Sequence, residues 1–228
     1  MRFAVLVFPA SNCDHDSYHV VRHVLGEEGA FVWHKETSLD GFDAVIIPGG
    51  FSYGDYLRTG AIARFSPIMS AVQEFAKAGK PVIGICNGFQ ILVEAGLLPG
   101  ALISNRSLRF VSRMIYLRPE GNSSPFTADL DVNRVYQMPV AHQSGNYLVT
   151  DDELAALEDQ DQIAFRYTNA SGEIVPEANP NGSVGNIAGV LNKDKNVLGL
   201  MPHPERASEA ILGSDDGLAL FQSIIGNA

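Results

Sequence analysis

The stretch Val82-Ile83-Gly84-Ile85-Cys86-Asn87-Gly88-Phe89-Gln90 decides the fold of this chain. A short apolar run leads into Gly-x-Cys-x-Gly, and helix-forming residues follow, which is the form of a nucleophile elbow with cysteine in the place of serine. The turn from strand to helix is so tight that side chains at Gly84 and Gly88 would collide with their surroundings. The pattern predicts that Cys86 is held in a strained conformation at the carboxyl end of a buried strand.

The position of Cys86 favours a reactive thiol. At the start of a helix, the helix dipole and the free N–H groups stabilise a thiolate relative to a thiol. A buried, unreactive cysteine in a glycine-rich turn fits the same residues equally well. The elbow pattern therefore needs support from other segments before a nucleophile can be inferred.

The base that a thiol nucleophile needs is supplied best by Met201-Pro202-His203-Pro204-Glu205. Of the six histidines, only His203 directly follows a predicted strand. Pro204 disfavours helix at His203, so we expect an extended segment with His203 and Glu205 on the same side. A polar loop at a strand end is the alternative interpretation. Together with the elbow, the segment predicts a catalytic triad of Cys86, His203 and Glu205.

A second glycine segment, Ile47-Pro48-Gly49-Gly50-Phe51, follows another apolar strand. If that strand neighbours the Cys86 strand, the N–H of Gly50 or Phe51 can point at the thiol. With the N–H of Asn87 it would form an oxyanion hole. By contrast, the histidines at 15, 19 and 23 lack supporting ligands and predict an exposed helix face, so we expect no metal site.

The whole chain has the alternation of an α/β protein. Apolar strands are predicted at 3–8, 31–34, 44–47 and 81–85, with helices at 14–28, 68–79 and 88–95 between them. Shorter β-rich segments follow at 109–117, 135–140, 146–149, 163–167, 187–191 and 197–201, and a last helix at 215–225. We predict a flavodoxin-like three-layer sandwich with a largely parallel central sheet and an antiparallel extension. Because no biased linker or internal repeat divides it, we expect one domain over residues 1–228.

Composition excludes several classes of function. Lys and Arg total 16 against 26 Asp and Glu, so the net charge of −10 argues against nucleic acid as a partner. No apolar run is long enough for a membrane span, and no signal peptide is recognisable. With two cysteines and no export signal, we expect a cytoplasmic protein. Phosphate-binding glycine motifs are absent, so any nucleotide-dependent step is expected in another chain.

These segments, in this order, resemble the class I, triad-type glutamine amidotransferases. That family's signature is Gly-x-Cys-x-Gly-x-Gln, here Gly84 to Gln90, with a late His-Pro-Glu, here His203 to Glu205. Within the family, the segments 48–58 and 11–14 are similar to the glutaminase subunits of phosphoribosylformylglycinamidine synthases. The similarity covers essentially the whole chain. One departure is His142-Gln143-Ser144-Gly145, where related chains usually carry His-Gly-Glu-Gly.

The resemblance implies a glutaminase. Cys86 would attack the side-chain amide of glutamine, and His203, oriented by Glu205, would transfer the protons. Substrate contacts are implied at Gln90, Phe51 and His142. The resemblance also implies no cofactor in this chain, with ATP and Mg in a separate large synthetase subunit, and a small accessory subunit in the same complex.

Three other functions remain open from the sequence. A glutaminase for GMP, anthranilate or carbamoyl phosphate synthesis would share the triad but not the segment Phe51–Arg58. A Cys-elbow hydrolase or deglycase of flavodoxin-like fold would explain Gly-x-Cys-x-Gly but not the late His-Pro-Glu. A non-catalytic scaffold subunit would not need both Cys86 and His203.

Overall fold

The Cys86 strand lies in the middle of a nine-stranded sheet. The structure is a computed structural model that describes residues 1–228. Its strands are β1 Arg2–Val7, β2 Glu28–Trp33, β3 Ala44–Ile47, β4 Val82–Ile85, β5 Ala101–Ile103, β6 Val111–Pro119, β7 Tyr136–His142, β8 Asn146–Leu148, β9 Ile163–Thr168, β10 Ile187–Leu191 and β11 Val197–Leu200. The α-helices are α1 Asp14–His19, α2 Ile68–Lys77, α3 Asn87–Glu94, α4 Asp151–Asp159 and α5 Leu218–Asn227.

The sheet has a parallel half and an antiparallel half. Its strand order is β2-β1-β3-β4-β11-β10-β9-β6-β7, and the first five strands pair in parallel. The order of those five matches the flavodoxin-like order 2-1-3-4-5, with β11 in the fifth place. From β11 onward every pairing is antiparallel. The predicted fold class is confirmed.

Helices cover the parallel half on both faces. Right-handed crossovers place α1 on one face and α2 and α3 on the other. Every residue of β3, β4, β10 and β11 is buried, which explains their continuous apolar sequences. No helix of the chain is long and apolar enough to cross a membrane. The histidines at 15, 19 and 23 are exposed, as expected.

Three elements differ from the sequence prediction. One is β5, Ala101–Ile103, which was not predicted and pairs with β8 in a separate two-stranded sheet. The first helix was expected to reach residue 28, but α1 continues only as a π-helical turn, Val20–Val24. Gly26, with φ +74°, follows the turn, and β2 then pairs with β1 from Glu28 onward. Residues 151–159, for which no helix was predicted, form α4. Its start is fixed by a capping box in which Thr150 and Glu153 bond each other's backbone N–H groups.

The antiparallel half bends back over the carboxyl edge of the parallel half. Two contacts of β7, the last strand in the sheet order, demonstrate this. The Pro139 carbonyl accepts a hydrogen bond of 2.9 Å from the His203 N–H, and the Ala141 carbonyl lies 3.8 Å from Cys86 Sγ. The edge at which β4 and β11 end is therefore enclosed by β7.

Candidate active site

The turn at Cys86 has the strained geometry of an elbow. Cys86 has φ 51° and ψ −101°, a backbone conformation that residues other than glycine rarely adopt. A Cβ on Gly88 would lie 1.9 Å from the Ile47 carbonyl oxygen, and one on Gly84 would lie 2.6 Å from the Gly88 carbonyl. Both glycines are thus required for the contact of α3 with β3 and β4, as predicted.

His203 and Glu205 form a buried pair. His203 Nδ1 lies 2.6 Å from Glu205 Oε1, and both residues are only 2% exposed. The expectation of an extended segment was wrong in one respect, because the extended backbone ends at His203 and Pro204–Arg206 form a 3₁₀ turn. That turn, which begins at Pro204, brings the carboxylate back to the imidazole.

The proton of His203 is held by its neighbours. Burial lowers the pKa of His203, but the Glu205 carboxylate and the Cys86 sulfur outweigh burial and raise the pKa well above its ordinary value. His203 Nε2 makes no hydrogen bond of ordinary geometry within the chain and faces the Cys86 and Cys13 thiols. The geometry allows His203 to exchange a proton with an elbow thiol or with a group bound to it.

Two backbone N–H groups near Cys86 have no acceptor. The Gly50 N–H donates to nothing in the chain, and Asn87, as the first residue of α3, has no intrahelical acceptor. Phe51 cannot take this role in the present conformation, since its N–H donates to the Ala10 carbonyl at 3.1 Å. The Asn87 side chain accepts from the Ser52 N–H at 3.0 Å and so ties the loop to the helix. Of the Gly50 and Phe51 N–H groups, that of Gly50 is therefore the one free to bind an oxyanion.

A cleft of about 520 Å³ opens beside Cys86. Phe51, Gln90 and His142 line it, so the structure brings these three predicted residues to the elbow. The Gln90 side chain is already bonded within the chain, because its Nε2 donates to the Ser144 carbonyl at 2.6 Å and its Oε1 accepts from Asn87 at 2.8 Å. The Gln90 side chain thereby holds Ser144 in the wall of the cleft.

His142 is a neutral, fixed side chain. Its Nδ1 lies 3.1 Å from Asn105 Oδ1, and its Nε2 lies 3.5 Å from Asn181 Nδ2. Burial first, and then His203, lower the pKa of His142 to about 4. A Cβ on Gly145 would come within 2.5 Å of the His142 ring, so ring and turn are packed directly together. The contacts indicate that His142 holds the 142–145 turn against the cleft.

Sequence reasoning missed the surroundings of Cys13. Ligand atoms of Cys13, His203 and Glu205 all lie within 4.8 Å of one another, so the Cys13 thiol lies beside the imidazole. Arg206 donates to Cys13 Sγ at 3.1 Å. Cys13, His203 and Arg206 line a smaller cavity of about 120 Å³. Gly50 and Cys86 line both this cavity and the main cleft. The absence of a metal there stays a prediction.

An elbow cysteine, a buried His–Glu pair and an adjoining cleft, on a flavodoxin-like sheet, define a protein of the glutamine amidotransferase class. Residues 1–215 match the CobB/CobQ-like glutamine amidotransferase domain. A protein of Koribacter versatilis named phosphoribosylformylglycinamidine synthase subunit PurQ is 54% identical over 226 residues, covering 99% of this chain and 98% of the relative. The PurQ subunit of Aquifex aeolicus is 54% identical, with both chains fully covered. The chain belongs to this amidotransferase family and, within it, to the PurQ group.

Solved structures agree with this assignment. A chain of the structure of PurLQS from Thermotoga maritima superposes with a TM-score of 0.87 at 42% identity, covering 99% of this chain and 97% of that chain. The glutaminase domain of CTPS from Trypanosoma brucei, solved with bound acivicin, gives a TM-score of 0.60 at 16% identity, covering 100% of this chain and 95% of that chain. At that identity the second likeness shows the fold alone.

Proposed function

We propose that this chain is the glutaminase subunit of a phosphoribosylformylglycinamidine synthase. It hydrolyses glutamine to glutamate and passes ammonia to a separate ATP-dependent subunit, which converts formylglycinamide ribonucleotide to formylglycinamidine ribonucleotide in purine biosynthesis. The observation that carries the chemistry is the strained Cys86 beside the buried His203–Glu205 pair and the cleft. The names of the curated relatives support the choice of pathway.

The first half of the reaction forms a thioester. Cys86 passes its proton to His203, and the sulfur attacks the side-chain amide carbon of glutamine, so that a C–S bond forms as the carbonyl oxygen gains negative charge. The unpaired N–H groups of Gly50 and Asn87 stabilise that oxyanion. When the tetrahedral intermediate collapses, the C–N bond breaks and His203 donates its proton to the departing nitrogen, so that ammonia leaves.

The second half regenerates the thiol. Neutral His203 removes a proton from water, whose oxygen attacks the thioester carbon. The C–S bond then breaks, glutamate leaves, and His203 returns the proton to the sulfur. Glu205 keeps the imidazole oriented throughout and stabilises its protonated form, since its carboxylate stays at Nδ1.

The remaining parts of the synthase lie outside this chain. We assign ATP and Mg to the large synthetase subunit, and we expect a small accessory subunit in the complex. The name PurLQS of the Thermotoga structure is consistent with such an assembly. Residues 1–228 would then form one amidotransferase domain. Its two free cysteines fit a cytoplasmic location, where thiols stay reduced.

Replacement of the nucleophile tests this proposal. In the assembled synthase, Cys86→Ala should abolish synthesis with glutamine but leave synthesis with added ammonia unchanged. Cys13→Ala is the matched control, because it removes the other buried thiol and should keep most of the glutamine-dependent rate. Glutamate release and ribonucleotide amidination are measured in parallel. Intact glutamine-dependent synthesis in Cys86→Ala would refute the mechanism.

A further inference from the structure

The loop that borders the cleft, residues 51–58, is held in an unusual conformation. Tyr53, Asp55 and Leu57 have φ values of 54°, 56° and 69°, so three residues that are not glycine adopt left-handed backbone. This conformation is unfavourable for residues with a Cβ, and it persists only where surrounding contacts impose it. Observed strain of this kind is concentrated at functional sites.

The loop is tied down on both sides of Asp55. The Tyr53 N–H donates to the Pro9 carbonyl at 2.7 Å, and the Tyr53 hydroxyl lies 2.9 Å from both His34 Nδ1 and Ser66 Oγ. After the turn, Arg58 Nη2 donates to Glu94 at 2.8 Å. The contacts of Tyr53 and Arg58 thus fix the backbone at Asp55, and they hold its side chain in the cleft wall.

The Asp55 carboxylate has no donor in the protein. It lines the same cleft as Cys86 and Gln90, and its Oδ1 is buried without a hydrogen bond. Burial alone raises its pKa to about 6. A buried carboxylate oxygen without a donor is costly, so its presence in a cleft wall points to a ligand that supplies the missing donor.

Other charged and titratable groups of the cleft do not compensate this carboxylate. They are Arg58, which is engaged by Glu94, His142, which is neutral at physiological pH, and the Cys86 thiol. Asp55 is the only acidic side chain that lines the cleft. A bound cationic group would therefore meet one carboxylate and no competing acid.

We propose that Asp55 binds the α-ammonium group of glutamine and selects amino-acid amides over simple amides. This inference rests on the proposed function, because the side-chain amide of the same molecule must reach Cys86. The ammonium would donate to the unpaired Oδ1, and the ion pair would replace water in a partly enclosed site. Asp55 would thereby orient the substrate with its amide toward the elbow.

Two substrates separate this role from a structural one. Glutaramate is glutamine without the α-amino group. The assembled wild-type synthase should use glutamine with a kcat/KM at least tenfold higher than that for glutaramate. Asp55→Asn should raise the KM for glutamine at least tenfold and leave kcat/KM for glutaramate within about threefold of wild type, so the preference collapses. Asp55→Glu, which keeps the charge, should restore part of the preference.

The matched control is Asp194→Asn, because Asp194 is an exposed aspartate in the β10–β11 hairpin away from the cleft. This variant should leave kcat/KM unchanged for both glutamine and glutaramate. An unchanged preference for glutamine in Asp55→Asn would overturn the inference, and so would an equal loss for both substrates. A wild-type synthase that releases no glutamate from glutamine would overturn the proposed function as well. Failure of the proposed function is therefore seen in the wild-type synthase. Failure of the inference about Asp55 is seen only in Asp55→Asn.

Discussion

Substitution of Gly88 by alanine tests the packing on which the elbow depends. The new Cβ would lie 1.9 Å from the Ile47 carbonyl oxygen and 2.7 Å from its carbon. Since carbon and oxygen atoms in contact normally stay about 3.3 Å apart, α3 or β3 must move by roughly 1.4 Å. Both contacting groups belong to backbone in the buried core, so no side chain can rotate away to relieve the clash.

The expected loss of stability is at the upper end of what overpacking causes, about 3 kcal/mol. That is a large part of the 5–15 kcal/mol that stabilises a typical domain. Urea unfolding of the variant and the wild type, analysed by linear extrapolation, measures the difference. Glutaminase activity should fall on the order of 100-fold, because a displacement of about 1 Å at the start of α3 moves the thiol away from His203.

Gly121→Ala is the control for this experiment. A Cβ on Gly121 meets no atom within 4 Å, and its φ is not in the left-handed range. Its unfolding free energy should stay within about 0.5 kcal/mol of wild type. If Gly88→Ala were destabilised by less than about 1 kcal/mol and kept full activity, the close contact between α3 and β3 would not be what positions the nucleophile.

Two further predictions concern titratable groups. Glu205→Gln removes the carboxylate that raises the pKa of His203, so an NMR titration should find that pKa lower than in wild type. Glutamine hydrolysis should fall roughly 10²–10⁴-fold. An unchanged pKa of His203 would contradict this prediction. Because burial raises the pKa of Asp55 from 3.8 to about 6, the ionised carboxylate destabilises the empty protein above that pH, and the destabilisation is lost as the pH falls toward 3.8. Asp55→Asn should therefore be more stable than wild type near neutral pH, on the order of 1 kcal/mol after allowance for partial exposure. Thermal unfolding scans should show that this difference vanishes at about pH 4. A variant less stable than wild type near neutral pH would contradict the expectation.

The fold was predictable because its central strands are buried on both faces. Ala44–Ile47, Val82–Ile85 and Ile187–Leu191 are continuous apolar runs, a pattern that depends on residue type alone. Helix α4 was missed because Leu157 is its only buried residue, so it lacks an apolar stripe. The Thr150–Glu153 capping box was a signal that could have located its start.

The candidate site was predictable only where a motif carries it. Cys86, His203 and Glu205 stand in short patterns with their own local geometry, and the structure brings all three together. The importance of Asp55 follows instead from left-handed backbone at tyrosine, aspartate and leucine, residues with no local preference for it, so tertiary contacts must impose it. Likewise, the contact of Arg206 with Cys13 joins segments 193 positions apart.

The position of β11 in the sheet has a consequence for folding. This strand, Val197–Leu200, lies between β4 and β10 and is made after both of them. Until it inserts, β4 lacks one of its two neighbours, and the parallel and antiparallel halves are not joined in one sheet. The pairing of β11 with β4 joins Val197 to Val82, which are far apart in the sequence. Such pairing is slow, because the entropy of loop closure opposes it before any contact is gained. Since His203 follows β11 directly, the thiol at Cys86 meets its base only after the sheet is closed, and incompletely folded chains carry a nucleophile without a partner.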